Sequence, residues 1–287
     1  MLKIVLYFNC HGSVLSKFFK NYRYTKDMKI DLIVNYLNLN NKKISEDHIK
    51  IISECDIFIY QIFNKKFDSE YDITNIMKIL KNECIVKKIN YYRFGGFWYE
   101  NTCVPFYEYD NWTFNKLAGY GLHKDFINFK SDNIVEITKK INNIELSNDF
   151  NKYFEEQLNN FKLLDNNSDV NMYNYFIQNY KKYHLFHDTY HPTNLFFYEL
   201  FRQLILSIFN INLTTDDNKL LYVLIFEELT DWATPILPII KSHLNLNIPD
   251  KIKVFRFNKR QLEMNIYEYY YIRLSKDNFK KYLISIN

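Results

Sequence analysis

Apolar residues in the first ninety positions form short continuous runs that alternate with stretches of helical spacing. Such runs are typical of strands covered on both faces, and they predict strands over residues 2–8, 30–37, 56–61 and 85–89. Helices are predicted between them over residues 12–21, 45–52 (with Ser45 as N-cap) and 72–82. Strand–helix alternation with short connections predicts an α/β fold, with a doubly wound, mostly parallel sheet and helices on both faces.

The pattern changes after the fourth predicted strand. Residues 91–125 are rich in aromatic side chains and predict a long loop or lid, since binding surfaces are found on loops that follow strand ends. Helical spacing then recurs, and a short strand is predicted near the carboxyl end; the predicted helices cover residues 145–164, 172–183, 192–209 and 220–244, and the strand covers residues 253–257. Residues 266–274 are too rich in tyrosine to assign.

We therefore expect a single domain over residues 1–287. Its parallel-sheet core is predicted from residues 1–90 and 184–260, with a helical and aromatic, lid-like insertion at 91–183. The 287 residues, 47% hydrophobic and 24% charged, suit a soluble globular protein. The 25 Tyr and 25 Phe have two interpretations: an aromatic binding role, or the compositional bias of an AT-rich genome.

Charge and cysteine usage exclude several function classes. The net charge is only +4 and no long basic run occurs, so no nucleic-acid partner is expected. No apolar stretch approaches about 20 residues and no signal peptide is recognised, which predicts a cytoplasmic protein without a membrane span. The four cysteines have no C-x-x-C spacing and predict reduced thiols.

The sequence Asn9-Cys10-His11-Gly12 lies where the first strand ends and a helix begins. Sites in doubly wound sheets form at the carboxyl ends of strands. The N-terminus of a helix favours the thiolate, which is the nucleophilic form of cysteine. Cys10 is thus a candidate nucleophile; the alternative is an inert cysteine in a β–α turn.

Asp188-Thr189-Tyr190-His191 supplies a carboxylate and an imidazole three residues apart, just before a predicted helix. This spacing lets Asp188 fix the tautomer of His191 and stabilise its protonated form, as an orienting carboxylate does for a general base. The alternative is a surface pair that caps the helix. A metal site with His184 and His187 is not expected, because Pro192 interrupts any helix that would align these residues.

Taken together, these motifs resemble the polysaccharide-biosynthesis family named after the capsule enzyme WcbI. The resemblance lies in Asn9-Cys10 after the first strand, residues 55–61 at the third strand, and His191-Pro192-Thr193-Asn194-Leu195. The layout is also similar to SGNH-type hydrolases, with cysteine in place of serine. The chain departs from the family at Phe8, where glycine is usual, and at His11, where glutamine is usual, so His11 is an alternative base.

The resemblance implies acetyl-coenzyme A as co-substrate and a sugar or nucleotide-sugar as acceptor, with no metal. It also implies roles for individual residues: Cys10, His191 and Asp188 as catalytic; Asn9 and Gln61 as oxyanion or polar support; Lys87, Lys88, Arg93, Gly95 and Gly96 as contacts of the coenzyme. The function expected is acetyl transfer to a sugar in glycan biosynthesis. The alternatives are an SGNH-like esterase or deacetylase, and a non-catalytic glycan- or protein-binding module.

Overall fold

The computed structural model describes the chain in twelve segments: residues 1–35, 43–62, 69–103, 108–109, 112–113, 120–214, 217, 233–257, 260–275, 277–278, 281–282 and 285. Two compact units are distinguished. The first comprises Met1–Tyr91, Lys162–Tyr175 and Asn194–Ile225; the second comprises Tyr92–Phe161, Phe176–Thr193 and Phe226–Asn287. The expectation of a single domain remains a prediction.

A four-stranded parallel sheet forms the centre of the first unit. Its strand order is β2-β1-β3-β4, and all three pairings are parallel. The strands are β1 (Lys3–Phe8), β2 (Lys29–Val34), β3 (Ile57–Gln61) and β4 (Ile85–Ile89). All four predicted strands are confirmed, with boundaries shifted by three residues at most.

Helices cover both faces of this sheet, which confirms the predicted α/β class. They are α1 (His11–Asn21), α2 (Glu46–Ser53), α3 (Ile73–Ile76) and α7 (Asn194–Phe209). On one face, Gly12 of α1 lies against Phe8 and Leu32. On the other, Ile52 of α2 and Ile76 of α3 join the apolar cluster of Val5, Tyr7, Ile33 and Phe58. Burial on both faces explains why the inner strands β1 and β3 are mainly apolar, whereas the outer strands β2 and β4 keep charged and exposed positions.

The predicted N-cap of α2 is confirmed, whereas the predicted length of α3 is wrong. The Ser45 side chain accepts a hydrogen bond from the backbone N–H of His48, as predicted for an N-cap. The predicted helix 72–82 is wrong in length, because α3 ends at Ile76. The chain continues in tighter turns, in which the N–H of Ile79 donates to the carbonyl of Ile76.

The second unit contains helices and short antiparallel pairs of strands. Its strand pairs are β5 (Asn101–Cys103) with β8 (Tyr120–His123), β6 (Glu108–Tyr109) with β7 (Trp112–Thr113), and β9 (Ile252–Phe257) with β10 (Arg260–Met264). The predicted strand 253–257 is confirmed. The predicted aromatic loop at 91–125 instead contains short strands, and part of it lies outside the described residues.

Five further helices are found among the described residues. They are α4 (Ile134–Asn142), α5 (Phe150–Asp165), α6 (Met172–Asn179), α8 (Pro238–Leu244) and α9 (Ile266–Leu274). The predicted helix 145–164 begins later, at Phe150, and the predicted helix 172–183 ends earlier, at Asn179. Most of the amino-terminal part of the predicted helix 220–244 lies outside the described residues.

Helix α9 was detectable from the sequence despite its tyrosines. The Asn265 side chain accepts from the N–H of Glu268, and the Glu268 side chain accepts from the N–H of Asn265. This reciprocal capping box follows from the N-x-x-E spacing in the sequence. None of the helices in the described segments is long and apolar enough to cross a membrane.

Candidate functional site

Cys10 is the N-cap residue of α1, directly beyond the carboxyl end of β1. Its carbonyl oxygen accepts from the N–H of Ser13 at 3.2 Å and from the Ser13 hydroxyl at 2.8 Å. Cys10 is half-buried. Cys10 therefore lies at the carboxyl end of a strand, as the sequence predicted, and beside the positive end of a helix dipole.

Asn9 closes the turn between the strand and the helix. Its side-chain oxygen Oδ1 accepts from the N–H of His11 at 2.9 Å, and its carbonyl oxygen accepts from the N–H of Gly12 at 3.0 Å. Because the amide oxygen is used within the turn, the Nδ2 group is the part of this half-buried side chain that suits a ligand. An N–H donor beside Cys10 is what a developing oxyanion requires.

Gln61, the last residue of β3, supports this turn from the neighbouring strand. Its Oε1 accepts from the N–H of Asn9 at 3.2 Å, and its Nε2 lies 3.4 Å from Nδ1 of His11. The side chain is 1% exposed. The oxygen and the nitrogen of this side-chain amide thus both contact other residues of the protein, and Gln61 supports the turn from Asn9 to His11.

His11 is a buried ring held between aromatic side chains. Its centroid lies 5.1 Å from that of Tyr91 and 5.3 Å from that of Phe197. Since an amide nitrogen can only donate, the Gln61 contact makes Nδ1 of His11 the acceptor and assigns the proton to Nε2. Nδ1, which carries the lone pair, is therefore engaged by Gln61. This geometry suits a positioning role for His11 better than the predicted role of alternative base.

Carboxamides recur at every carboxyl end of the sheet, and two of them were missed in the sequence. Asn9, Asn35 and Asn90 directly follow β1, β2 and β4, and Gln61 ends β3. Asn35 is fully buried, and Asn90 is 3% exposed with no hydrogen-bond partner for its Nδ2 among the described residues. The signal was an amide residue close to the carboxyl end of each predicted strand, although Asn35 lies inside the predicted run 30–37.

Asp188 and His191 form an oriented dyad in the second unit. Nδ1 of His191 lies 2.9 Å from both carboxylate oxygens of Asp188. Oδ1 also accepts from the backbone N–H groups of Tyr190 at 2.7 Å and of His191 at 2.9 Å. The Asp188 side chain is only 1% exposed. Because its carboxylate oxygens accept hydrogen bonds, Nδ1 of His191 donates and Nε2 carries the lone pair.

The dyad sits in an extended segment, which corrects the expected start of the following helix. Phe186 pairs with Pro192 in an isolated bridge, and the N–H of Thr193 donates to the carbonyl of Leu185. These contacts hold residues 192 and 193 outside helical geometry. Pro192 is consequently not a first-turn residue, and α7 begins at Asn194.

His184 and His187 lie close to the dyad in the sequence, with their ring centroids 6.0 Å apart. Burial, aided by the nearby His187 and Lys241, lowers the pKa of His184 to about 3. Nowhere in the described segments do three histidine, cysteine or acidic side chains converge in a manner that suits a metal ion. His184 is a half-buried residue, and its lowered pKa keeps the imidazole neutral near neutral pH.

The predicted coenzyme contacts differ in their accessibility. Lys88 and Arg93 are exposed, and Lys87 is half-buried. The backbone of Lys88 bonds to Asp169, whose carboxylate accepts its N–H at 2.7 Å, so edge strand β4 is anchored there. Exposed cations of this kind can meet phosphate groups, and their contact with a coenzyme remains a prediction.

Gly95 and Gly96 are buried against helix α5. A Cβ atom added to Gly95 would lie 2.8 Å from the hydroxyl of Tyr153, and one added to Gly96 would lie 2.8 Å from the Phe154 ring. Glycine is therefore required by the packing of the chain on itself. A contact of either glycine with a coenzyme remains a prediction.

The structure thus groups the predicted site residues in two sets. Asn9, His11 and Gln61 are joined by hydrogen bonds in the first unit, with Cys10 between Asn9 and His11 in the chain. Asp188 and His191 are joined in the second unit. The pairing of Cys10 with His191 as nucleophile and base remains a prediction.

A solved structure of WcbI supports the fold. That protein is described as a novel polysaccharide biosynthesis enzyme, in a native form without a disulfide bond between coenzyme A and one of its cysteines. The two structures match with a TM-score of 0.57 at 13% sequence identity, over 98% of this chain and 90% of that one. No curated protein matches the chain.

The polysaccharide biosynthesis enzyme WcbI family matches the sequence directly. The match spans residues 3–208, which include both sets of site residues and the whole parallel sheet. The expected family is thereby confirmed, and with it the expectation of an enzyme. This chain belongs to the WcbI family of polysaccharide biosynthesis enzymes.

Proposed function

We propose that this enzyme transfers an acetyl group from acetyl-coenzyme A to a hydroxyl or amino group of a sugar or nucleotide-sugar. Its family acts in polysaccharide biosynthesis. The structurally similar WcbI is described in terms of coenzyme A and a cysteine, and Cys10 is the cysteine of this chain that lies at a strand end suited to catalysis.

The observation that carries the proposal is the geometry of the Asp188–His191 dyad. A buried carboxylate with two backbone N–H donors faces Nδ1 of the imidazole at 2.9 Å. Such an arrangement fixes the tautomer and stabilises the imidazolium that forms when Nε2 accepts a proton. His191 is therefore equipped to deprotonate an acceptor hydroxyl or amine.

Two routes use this base differently. In the first, the thiolate of Cys10 attacks the acetyl carbonyl carbon, and the coenzyme leaves as its thiol after gaining a proton. Nε2 of His191 then removes the proton of the acceptor, whose oxygen or nitrogen attacks the Cys10 thioester and releases the thiolate. In the second, His191 activates the acceptor for direct attack on acetyl-coenzyme A, and Cys10 only shapes the pocket.

The neighbouring polar groups have supporting roles in both routes. The Nδ2 group of Asn9 is a candidate donor to the developing oxyanion, since its Oδ1 is already engaged by the N–H of His11. Gln61 keeps that turn in place through the N–H of Asn9. Lys87, Lys88 and Arg93 are the cations proposed for the coenzyme phosphates.

The test compares Cys10→Ala with the intact enzyme, using release of coenzyme A in the presence and absence of amino sugars and nucleotide-sugars. Release that depends on the sugar, together with acetylated product, supports transfer. Loss of turnover by about 10³-fold or more in Cys10→Ala supports the covalent route. A rate within about tenfold of the wild type supports the direct route.

A matched control is Cys84→Ala, which removes another half-buried thiol of the same sheet at its opposite, amino-terminal edge. Its turnover is expected to equal that of the wild type. Absence of sugar-dependent release with every acceptor would contradict acetyl transfer.

The second candidate function is hydrolysis of acetylated sugars, which the same dyad also favours because His191 can deprotonate water as well as a sugar. Release of acetate from an acetylated sugar, with no dependence on coenzyme A, identifies this activity. The membership in an enzyme family argues against the third alternative, a non-catalytic binding module.

A further inference from the structure

Two cysteines lie together at the amino-terminal edge of the parallel sheet, opposite the edge that holds Cys10. Cys55 lies two residues before β3, and Cys84 lies directly before β4. Their sulfur atoms are 3.6 Å apart. Both thiols are free in this structure.

The sheet itself brings these sulfur atoms together. Strands β3 and β4 pair in parallel with Ile57 opposite Ile85, and the N–H of Ile85 donates to the carbonyl of Asp56 at 2.9 Å. Because parallel neighbours enter a sheet from the same edge, the residues that precede them are also neighbours. The sequence separation of the two cysteines hides this proximity.

We propose that Cys55 and Cys84 are an oxidisable dithiol, which low-molecular-weight disulfides convert to an intramolecular disulfide between the starts of β3 and β4. The Cys84 thiolate attacks one sulfur of the small disulfide, whose other half leaves as a thiol. The Cys55 thiolate then attacks Cys84 Sγ and releases the second half as a thiol. The protein loses two hydrogens, and the small disulfide is reduced to two thiols.

Access and distance both suit this order of events. Cys84 is half-buried and can meet a small disulfide, whereas Cys55 is fully buried in the apolar cluster and can meet only Cys84. A disulfide bond is about 2.05 Å long, so the sulfur atoms need to approach by about 1.6 Å, a distance that side-chain rotation can supply.

The charges around the pair predict how fast it reacts. Burial is the main cause that raises the pKa of both thiols. The Lys81 ammonium lowers each pKa and the Asp56 carboxylate raises it, and these two groups form an ion pair at 2.5 Å. With raised pKa values, the dithiol is expected to react slowly at neutral pH and faster as the thiolate fraction rises with pH.

The experiment uses the full chain with Cys10→Ser and Cys103→Ser, in which Cys55 and Cys84 are the remaining thiols. It is incubated with oxidised glutathione and then alkylated and weighed by mass spectrometry. The expected product is lighter by two hydrogen atoms, takes up no alkylating reagent, and yields a linked Cys55–Cys84 peptide. Its rate of formation is expected to rise by up to about tenfold per pH unit.

The matched control adds Cys84→Ser to the same background. It has no exposed attacking thiol and is expected to give no disulfide and no glutathione adduct on Cys55. The proposal is overturned if the two-thiol protein keeps both thiols alkylatable after oxidation, or if it collects stable glutathione adducts without forming the linked peptide. The outcome is independent of the acetyl-transfer proposal, because Cys10 is absent throughout.

Discussion

At the scale of single residues, the candidate site depends on side chains that hold other side chains in place. Gln61 supports the Asn9 backbone with its oxygen and the His11 ring with its nitrogen. Asp188 likewise binds two backbone N–H groups and the ring of His191. Residues of this kind act on chemistry through their neighbours, and they are more buried than the groups they orient.

Replacing Asp188→Asn tests the orienting role of the carboxylate. Asparagine can keep the bonds from the N–H groups of Tyr190 and His191, but it has no negative charge to stabilise an imidazolium. The expected result is a fall in kcat of about 10³-fold or more with little change in unfolding temperature. Steady-state kinetics of coenzyme A release, with thermal unfolding in parallel, would measure both.

The matched control for this substitution is Asp250→Asn. Asp250 is exposed and pairs with Lys241 at the surface, so its loss is expected to leave kcat unchanged. Equal rates for Asp188→Asn and the wild type would show that the dyad has no part in the rate-limiting step.

At the scale of elements, the position of Cys10 depends on how closely α1 approaches the sheet. A Cβ atom added to Gly12 would lie 2.6 Å from Phe8 Cβ and 2.6 Å from Leu32 Cδ1. The Phe8 atom is next to the backbone of β1 and cannot rotate away. The first turn of α1 can therefore lie against the sheet only because residue 12 is glycine.

Gly12→Ala is accordingly expected to push the first turn of α1 away from β1 and to move Cys10 with it. The expected cost is about 1–3 kcal/mol in the free energy of unfolding, since the clash resembles overpacking of a core. Turnover by the acetyl-transfer assay is expected to fall at the same time. Urea unfolding and steady-state kinetics on the same preparation would check the two effects.

Lys20→Ala provides the comparison on the same helix, because Lys20 is exposed near its carboxyl end. It is expected to change the free energy of unfolding by less than about 0.5 kcal/mol. If Gly12→Ala were as stable and active as Lys20→Ala, the close approach of α1 would be unimportant for the site.

At the scale of the whole molecule, histidines with lowered pKa values link stability to pH. His184 has a folded-state pKa lowered to about 3, chiefly by burial, against about 6.5 in an unfolded chain. Burial also lowers the pKa of His123. At pH values below the unfolded-state pKa, the unfolded chain binds protons that the folded chain does not. The contribution of these histidines to the free energy of unfolding is therefore fully present above the unfolded-state pKa and is lost as the pH falls below it.

The free energy of unfolding is therefore expected to decrease as the pH falls from about 6.5 towards 4, by up to about 1.4 kcal/mol per pH unit for His184 alone. Urea unfolding across this range would measure the slope. His184→Gln removes one of the titrating groups and is expected to give a shallower slope, with His123 still contributing. If the free energy of unfolding had the same slope against pH in the wild type and in His184→Gln, the neutral state of His184 would be contradicted.

Local pattern in the sequence was enough for the sheet and for several candidate residues. Mainly apolar runs identified all four parallel strands. The inner strands β1 and β3 give the clearest signal because they are mostly buried, whereas the outer strands β2 and β4 keep charged residues such as Asp31 and Lys88. Strand and helix boundaries placed Cys10 at a strand end, and the short D-x-x-H spacing joined Asp188 with His191. Both are local features, and local features are what periodicity and spacing can report.

Contacts between distant residues were decided only by the tertiary structure. Gln61 reaches Asn9 and His11 because β1 and β3 are neighbours in the sheet, which spacing along the chain does not encode. The same is true of Cys55 and Cys84 at the opposite edge. The extended pairing of Pro192 with Phe186 likewise overrode a helical pattern that began there. The sequence alone determined which strands form the parallel sheet and where Cys10 and the Asp188–His191 dyad lie along the chain; the order of the strands decided which side chains meet.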